Sequence, residues 1–179
     1  MTLGLEAPPR YGITRQWSMP SSETFDVPPI ASFIERWHRE PSVDPFARNS
    51  LWGTYRNDLS PDTAAQYHME AGDFVALLVE EGLRAECVLF DPPYSPRQIS
   101  EVYQSVGRRA TTEDTQSPRL YRTVRDGLDR LLVSGGVALS FGWNSAGFGR
   151  ERGYEVAEIL LVAHGGAHND TICVAEVKL

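Results

Sequence analysis

The chain has 179 residues, of which 41% are hydrophobic, and a formal net charge of −7. This length predicts a single domain over residues 1–179, and the acidic balance argues against a surface given over entirely to nucleic acid. No stretch has the length and apolar character of a membrane span, and the N-terminus lacks the pattern of a signal peptide, so we expect a soluble, cytoplasmic protein. The two cysteines, Cys87 and Cys173, lie in apolar runs and are predicted to be core residues.

The first half of the chain predicts two helices and two short strands after a polar start. Residues 1–29 are rich in proline and polar side chains and predict an extended lead-in segment. "PPIASFIERWHRE" predicts a helix, because prolines stand at its start and Ile30, Phe33 and Ile34 follow at helical spacing. "SVDPF" and "GTYRN" predict short strands, and "GDFVALLVEEGL" predicts a helix that ends at Gly82.

The second half continues the alternation of strands and helices. "AECVLF" is almost continuously apolar, which is typical of a parallel strand covered on both faces. "SPRQISEVYQSVG" predicts a helix, "GRRATTEDTQ" a loop, and "SPRLYRTVRDGLDRLLVSGG" a long helix capped by Ser117. "GVALSF" predicts a strand, and "YEVAEILLVAHG" and "DTICVAEVKL" predict a closing hairpin.

This order of elements predicts an α/β fold with a doubly wound, mostly parallel sheet and an antiparallel C-terminal hairpin. In such sheets ligands bind outside the carboxyl ends of the strands. Asp44, Asp58 and Asp91 each follow a predicted strand, so we expect these acids to lie together at one edge.

The segment "LFDPPYSP", residues 89–96, places a carboxylate, two prolines and an aromatic ring after a hydrophobic strand. Prolines have no N–H donor, and an ionised carboxylate only accepts hydrogen bonds. The segment therefore predicts a planar ligand that carries an NH₂ group, which is a nucleobase with an exocyclic amine or a carboxamide.

Asp91-Pro92-Pro93-Tyr94 resembles the signature of amino-methylating DNA methyltransferases, which act on adenine N6 or cytosine N4, and its Asp form is similar to the adenine subset. "DPF" at 44–46, "NDL" at 57–59 and "YHMEA" at 67–71 resemble the cofactor-binding segments of that family. From Trp17 onwards, "WSMPSSETF", "DPFARNS", "FDPPYSPRQ", "GWNSAG" and "HGGAHNDT" together resemble a compact, phage-type group of adenine-specific methyltransferases. The resemblance implies a Rossmann-like methyltransferase fold in a virus- or phage-encoded enzyme that acts in the host cytoplasm.

The resemblance also implies S-adenosyl-L-methionine as cofactor, DNA as partner and a role for each motif residue. The Asp91 carboxylate and the Pro92 carbonyl would accept hydrogen bonds from the adenine amine, and Tyr94 would stack on a base that is flipped out or already unpaired. The cofactor residues that it implies are Asp44 and Phe46 in the cleft, Asp58 and Leu59 at the ribose, Glu70 and Ala71 at the cofactor adenine, and Thr24 and Phe25 at the methionine end.

Two features depart from the family pattern. The first cofactor motif runs into Ala47-Arg48-Asn49-Ser50 instead of a glycine-rich turn, so we expect the backbone to approach the cofactor less closely. Arg48 then either pairs with the methionine carboxylate or faces solvent. No separate target-recognition region is visible, because the motifs follow one another closely.

Several residues have a second interpretation. Asp58 also fits a helix cap and Asp44 a turn, while His164 and His168 fit turn or ligand-facing residues better than metal ligands. Trp143 fits a wall of the target pocket or core packing. The arginines after the DPPY motif fit either a phosphate-contacting surface or a solvated helical face, and they are Arg97, Arg108, Arg109, Arg119, Arg122 and Arg125. A homodimer or partner subunit is the alternative source of a basic surface.

Two other functions share the same acceptor chemistry. One is methylation of an RNA base or of a protein glutamine amide, and the other is a decayed methyltransferase fold that binds cofactor or DNA as a subunit.

Overall fold

A computed structural model describes residues 11–93, 99–100, 103–104, 107, 118–166 and 168–179. The strands are β1 (Gly12–Trp17), β2 (Ser42–Asp44), β3 (Tyr55–Arg56), β4 (Ala85–Phe90), β5 (Leu132–Gly142), β6 (Tyr154–Ala163) and β7 (Thr171–Lys178). The longer helices are α1 (Pro28–Trp37), α2 (Ala71–Glu80) and α3 (Pro118–Leu131), with short 3₁₀ helices at Thr24–Asp26 and Arg150–Arg152.

All seven strands form one mixed sheet in the order β1-β6-β7-β5-β4-β2-β3. Every parallel strand runs in the same direction, and β7 is antiparallel to its neighbours β5 and β6. The predicted α/β class and the mostly parallel sheet with a closing antiparallel hairpin are thereby confirmed. No helix in the described part of the chain is long and apolar enough to cross a membrane.

Helices cover both faces of the sheet. Cys87 and Leu89 of β4 belong to the hydrophobic cluster that contains the buried side of α1, together with Cys173 of β7. Val88 and Phe90 alternate with them and belong to the cluster under α2 and α3. Burial on both faces explains why β4 reads as a continuous apolar run.

Local signals place the helix ends where the sequence predicts them. α1 begins with two prolines, in the first turn where no intrahelical N–H bond is needed. α2 ends before Gly82, whose φ of 73° is the left-handed conformation of a helix C-terminus, and Leu83 N–H donates to the Leu78 carbonyl. The cap Ser117, most of the helix predicted after the DPPY motif and nearly all of the loop that follows it lie outside the described residues.

One strand was not predicted. Residues 12–17, which the sequence assigns to a lead-in segment, form β1 and pair in parallel with β6, from Gly12 beside Glu158 to Trp17 beside Ala163. All six side chains of β1 are exposed. An exposed edge strand lacks the alternation of buried and polar residues on which strand prediction depends, and its partner lies far along the chain.

The order of the sheet reverses beside β2. From β2 the chain moves outward to β3, returns through α2 to β4 on the other side of β2, and then continues to β5. Neighbouring parallel strands that depart in opposite directions leave a crevice at their carboxyl ends, where doubly wound sheets bind ligands. Asp44 is the last residue of β2, and Asp91 directly follows β4.

Candidate functional site at the carboxyl edge of the sheet

A cavity of about 750 Å³ lies at this edge. Its lining includes most of the predicted site residues that the structure describes, namely Thr24, Phe46, Asp58, Leu59, Glu70, Ala71, Asp91, Pro92 and Trp143. An adjoining cavity of about 420 Å³ shares Thr24, Phe46, Arg48 and Asp91 with it and also contacts Phe25. The larger volume lies in the range of small-molecule sites.

Asp44 lies beneath the cavity rather than in its lining. It is fully buried, its Oδ1 accepts a hydrogen bond from Phe46 N–H at 3.1 Å, and its Oδ2 has no partner among the described residues. Burial raises the pKa of Asp44 to about 8, and the nearby charges of Asp91 and Asp58 act in the same direction. At neutral pH the carboxyl is therefore mainly protonated. The hydrogen bond that it accepts from the Phe46 N–H stabilises the turn after β2, and its predicted role in the cofactor site stays a prediction.

Aromatic packing fixes the floor of the site and the proline pair. The ring of Phe46 packs edge-on against Phe90 at 5.9 Å and Tyr121 at 6.5 Å between centroids. The Tyr121 hydroxyl donates a hydrogen bond to the Pro93 carbonyl. Since Tyr121 belongs to α3, this helix is hydrogen-bonded to Pro93. Tyr94 itself lies outside the described residues.

The Asp91 carboxylate is partly buried at the junction of the two cavities. Burial raises its pKa to about 6, although a hydrogen bond from the Thr24 side chain and the positive charge of Arg48 both lower it. Glu23 raises it further. At neutral pH most of the carboxyl is ionised, so it accepts hydrogen bonds and donates none.

Asp58 ties together the loops that follow β2 and β3. Its Oδ2 accepts from the backbone N–H of Arg48 at 3.1 Å, and its Oδ1 accepts from Ser60 N–H at 2.9 Å. The second bond is an Asx turn, and no helix begins in residues 59–63, so the helix-cap interpretation is wrong. Each carboxylate oxygen can accept further hydrogen bonds, and Asp58 lines the larger cavity.

Asn57 connects three of the predicted cofactor segments, a role that the sequence analysis missed. This buried side chain donates to the carbonyls of Pro45 at 3.1 Å and Met69 at 3.0 Å and accepts from Met69 N–H at 3.1 Å. A parallel bridge between Asn57 and Tyr67 adds a short outer pairing beside β3. In the sequence, the only indication of this role is that Asn57 stands at the end of a predicted strand.

Glu70 and Ala71 lie at the start of α2. Ala71 is the first residue of this helix, and Glu70 precedes it. The Tyr103 hydroxyl donates to the Glu70 carboxylate at 3.2 Å, and both residues line the larger cavity. Tyr103 belongs to the helix predicted after the DPPY motif, so this contact brings a further aromatic side chain to the site.

Arg48 adopts a left-handed backbone, with a φ of 49°. Its guanidinium donates to the Ser22 carbonyl at 2.6 Å and pairs with Glu23 at 3.2 Å. The turn after β2 thus has a conformation typical of glycine, although its sequence contains none there.

The two histidines of the last turn have different environments. His164 is buried between the Ser18 carbonyl and the Thr171 hydroxyl, each 2.9 Å from a ring nitrogen. Because a carbonyl only accepts, Nδ1 carries a proton. His168 lines the larger cavity. Among the described residues, His, Cys, Asp and Glu form no group of three that could hold a metal ion.

The predicted nucleic-acid residues are only partly described. Trp143 follows β5, is 47% exposed and lines the larger cavity, so it does not pack in the core. The Arg125 guanidinium carbon lies 5.3 Å from the centroid of the Phe90 ring, and the side chain donates to the Gly147 carbonyl, so this arginine is half-buried against the protein rather than fully solvated. Arg97, Arg108 and Arg109 lie outside the described residues.

Comparison of the chain with protein-family models gave no match, and a search of curated proteins gave none either.

Proposed function

We propose that this protein transfers a methyl group from S-adenosyl-L-methionine to the exocyclic N6 amine of adenine in DNA. The observation that carries the proposal is that Asp91 and Pro92 line one cavity with Asp58, Glu70 and Phe46, at the reversal point of the sheet. Groups that accept hydrogen bonds and residues suited to a nucleoside cofactor thus line the same cavity.

The strand order supports a nucleotide-binding site and a Rossmann-like methyltransferase fold. If β2 is numbered as strand 1, then β3 is strand 2, β4 is strand 4 and β5 is strand 5. The isolated bridge at Tyr67, on the outer side of β3, takes the place of strand 3. This 3-2-1-4-5 order is that of doubly wound dinucleotide-binding sheets, in which an acid after the second strand binds the ribose hydroxyls. Asp58 occupies that position, and Leu59 and Ala71 line the same cavity.

The acceptor chemistry supports an exocyclic amine as the methyl acceptor. The adenine amine is a poor nucleophile, because its lone pair is delocalised into the ring. In our proposal the ionised Asp91 and the Pro92 carbonyl accept its N–H groups, orient the nitrogen and stabilise the positive charge that develops on it. The cofactor would supply a methyl group whose bond to sulfur breaks as the bond to nitrogen forms, leaving S-adenosylhomocysteine, and the methylated nitrogen would release its extra proton to water. Trp143 and Tyr94 are the proposed aromatic contacts of the base.

The conformation of Arg48 weakens the argument for a decayed, non-catalytic subunit. That argument rests on the missing glycines after Phe46, but Arg48 takes the left-handed conformation that a glycine would supply. The missing glycine therefore does not prevent a left-handed residue in this turn.

Replacement of Asp91 tests the proposal. Asp91→Asn and Asp91→Ala should lower the rate of methyl transfer to DNA by about 10²–10³-fold, the scale for loss of one charge-stabilising group. Cofactor affinity measured by calorimetry should stay within a few fold, because Asp91 contacts the acceptor and not the ribose. In the wild type, activity should rise as pH increases through about 6, since Asp91 must be ionised. Full turnover in Asp91→Asn would contradict the assignment.

A further inference from the structure

Residues 18–26, which we call the strap, connect β1 to α1 across the carboxyl edge of the sheet. At its start, Ser18 N–H donates to the Ala163 carbonyl at 3.1 Å, and the Ser18 carbonyl accepts from the His164 ring at 2.9 Å. Further along, Pro20, Ser21, Ser22 and Thr24 line the larger cavity. The strap is therefore a wall of the site, and a ligand in the cavity lies against it.

Arg48 holds the far part of the strap. Its guanidinium reaches the Ser22 carbonyl at 2.6 Å and the Glu23 carboxylate at 3.2 Å, and its backbone N–H reaches Asp58 at 3.1 Å. One residue thus joins the strap to the acid proposed to bind the ribose. A glycine at this position would supply the same backbone conformation without the side-chain contacts.

The same contacts control the surroundings of Asp91. Thr24 on the strap hydrogen-bonds the Asp91 carboxylate, and Arg48 contributes a positive charge near it. The negative charge of Glu23 opposes ionisation of Asp91, and Arg48 pairs with Glu23.

Two other titratable groups interact electrostatically with Asp91. These are Asp44 at the end of β2, which is mainly protonated, and Cys173 on β7, whose pKa burial raises far above neutral pH. Both are therefore mainly uncharged at neutral pH. Among the described residues, Arg48 in the loop after β2 and Glu23 on the strap are the charged groups that shift the pKa of Asp91.

We propose that Arg48 is a positioning residue, which clamps the strap over the cavity so that Thr24 contacts Asp91, while its own N–H orients Asp58. The catalytic consequence rests on the proposed methyl transfer. The clamp itself is a property of the free protein and can be tested without any activity.

The variant Arg48→Gly distinguishes the contribution of the Arg48 backbone from that of its side chain. Glycine retains the N–H that Asp58 accepts and adopts a φ of 49° without strain, so the turn should keep its conformation and the variant should still fold, with a thermal midpoint lowered only by the lost side-chain contacts and the greater freedom of the unfolded chain. Hydrogen exchange of the strap amides should accelerate by at least about tenfold, the factor that corresponds to loss of one hydrogen bond to a charged group, with only a small addition from the half-exposed ion pair. Arg150→Ala removes an exposed arginine before β6, at the opposite edge of the sheet, and should leave strap exchange unchanged.

The titration of Asp91, followed by NMR of its carboxyl carbon, gives a second readout. Its pKa should rise in Arg48→Gly and in Thr24→Val, because each change removes a group that favours the ionised form, and Thr24→Ser and Arg48→Lys should restore part of the shift. In a methyl-transfer assay the acid limb of the pH profile should move to higher pH in the same variants.

The outcomes separate the two proposals. Unchanged strap exchange in Arg48→Gly, or an unchanged Asp91 titration in both Arg48→Gly and Thr24→Val, overturns the inference about Arg48. Faster exchange and a raised Asp91 pKa in a protein whose wild type transfers no methyl group support the clamp and overturn only the proposed function. If Arg48→Gly fails to fold, Glu23→Gln replaces it, and unchanged strap exchange in that variant overturns the ion-pair part of the clamp.

Discussion

At the scale of single residues, burial and nearby hydrogen-bond donors give Asp44 and Asp91, at the same edge of the sheet, opposite protonation states at neutral pH. Asp44 is sealed beneath Phe46 with one oxygen unpartnered among the described residues, and burial raises its pKa to about 8. Asp91 is also raised, to about 6, but Thr24 and Arg48 favour its charged form. One acid therefore serves as a neutral structural group, and the other is available as an acceptor.

This difference predicts how Asp44 affects stability with pH. Its pKa is about 8 when folded and about 3.9 when unfolded, so between these values the folded chain keeps a proton that the unfolded chain releases. The free energy of unfolding is therefore unaffected by Asp44 below about pH 4. It falls as pH rises towards 8, by at most about 1.4 kcal/mol per pH unit. Asp44→Asn keeps the oxygen that binds Phe46 N–H and cannot ionise. Urea unfolding from pH 4 to 8 should show the variant gaining stability over the wild type, and parallel curves would contradict this.

The strand-end rule predicted that Asp44, Asp58 and Asp91 lie near one edge of the sheet, because each stands at or just after the end of a predicted strand. It could not predict Asn57 or Arg48. The partners of Asn57 lie in two other loops, and those of Arg48 lie on the strap, so these contacts exist only once the chain has folded. The backbone conformation of Arg48 also runs against the usual preference for glycine.

At the scale of elements, α2 and α3 approach each other through a glycine. A Cβ added to Gly127 of α3 would lie 2.4 Å from Val75 Cγ1 on α2, far inside contact distance. Both helices were predicted, but this close approach is not visible in the sequence. A glycine inside a helix is only a weak sign of tight packing.

Gly127→Ala should therefore destabilise the protein by about 1 kcal/mol, although alanine is the better helix former. The overpacking cost of about 1–3 kcal/mol exceeds the propensity gain of about 1 kcal/mol. Gly72→Ala is the matched control, because nothing lies within 4 Å of the added methyl, and it should stabilise α2. The double variant Gly127→Ala with Val75→Ala should be more stable than the sum of the single effects predicts. Denaturant unfolding of the four proteins measures this coupling, and a stabilised Gly127→Ala would show that the helices do not pack so closely.

The edge of the sheet shows the limit of element prediction. β4, β5 and β7 were predicted because their side chains are buried, whereas β1 is fully exposed and is defined only by its hydrogen bonds to β6. Because β1 was not predicted, the strap could not be predicted either, since the path of the strap depends on the position of β1.

At the scale of the whole molecule, the proposed activity requires an acidic chain to bind DNA, which is a polyanion. The net charge is −7, and the described charged residues that line the larger cavity are Arg48, Asp58, Glu70 and Asp91. Since Arg48 pairs with Glu23, the positive charge for DNA phosphates has to come from elsewhere. We propose Arg108 and Arg109, which lie outside the described residues, as part of that surface.

The double variant Arg108→Ala with Arg109→Ala should reduce the salt dependence of DNA binding. Each phosphate contact contributes about −0.9 to the slope of log affinity against log salt, so the slope should flatten by about 1.8, with cofactor affinity unchanged. Arg150→Ala is the control for charge alone. If a homodimer or partner subunit supplies the basic surface, the slope will not change and activity per chain will fall on dilution.

The identity of the methylated product tests the central claim most directly. The protein should be incubated with S-adenosyl-L-methionine carrying a labelled methyl group and with DNA and RNA in parallel, and the digested nucleosides should be analysed by mass spectrometry. We predict label in N6-methyldeoxyadenosine from the wild type and a loss of about 10²–10³-fold in Asp91→Ala. Label on cytosine or in RNA alone, an equal signal from Asp91→Ala, or the absence of label from DNA would contradict the account.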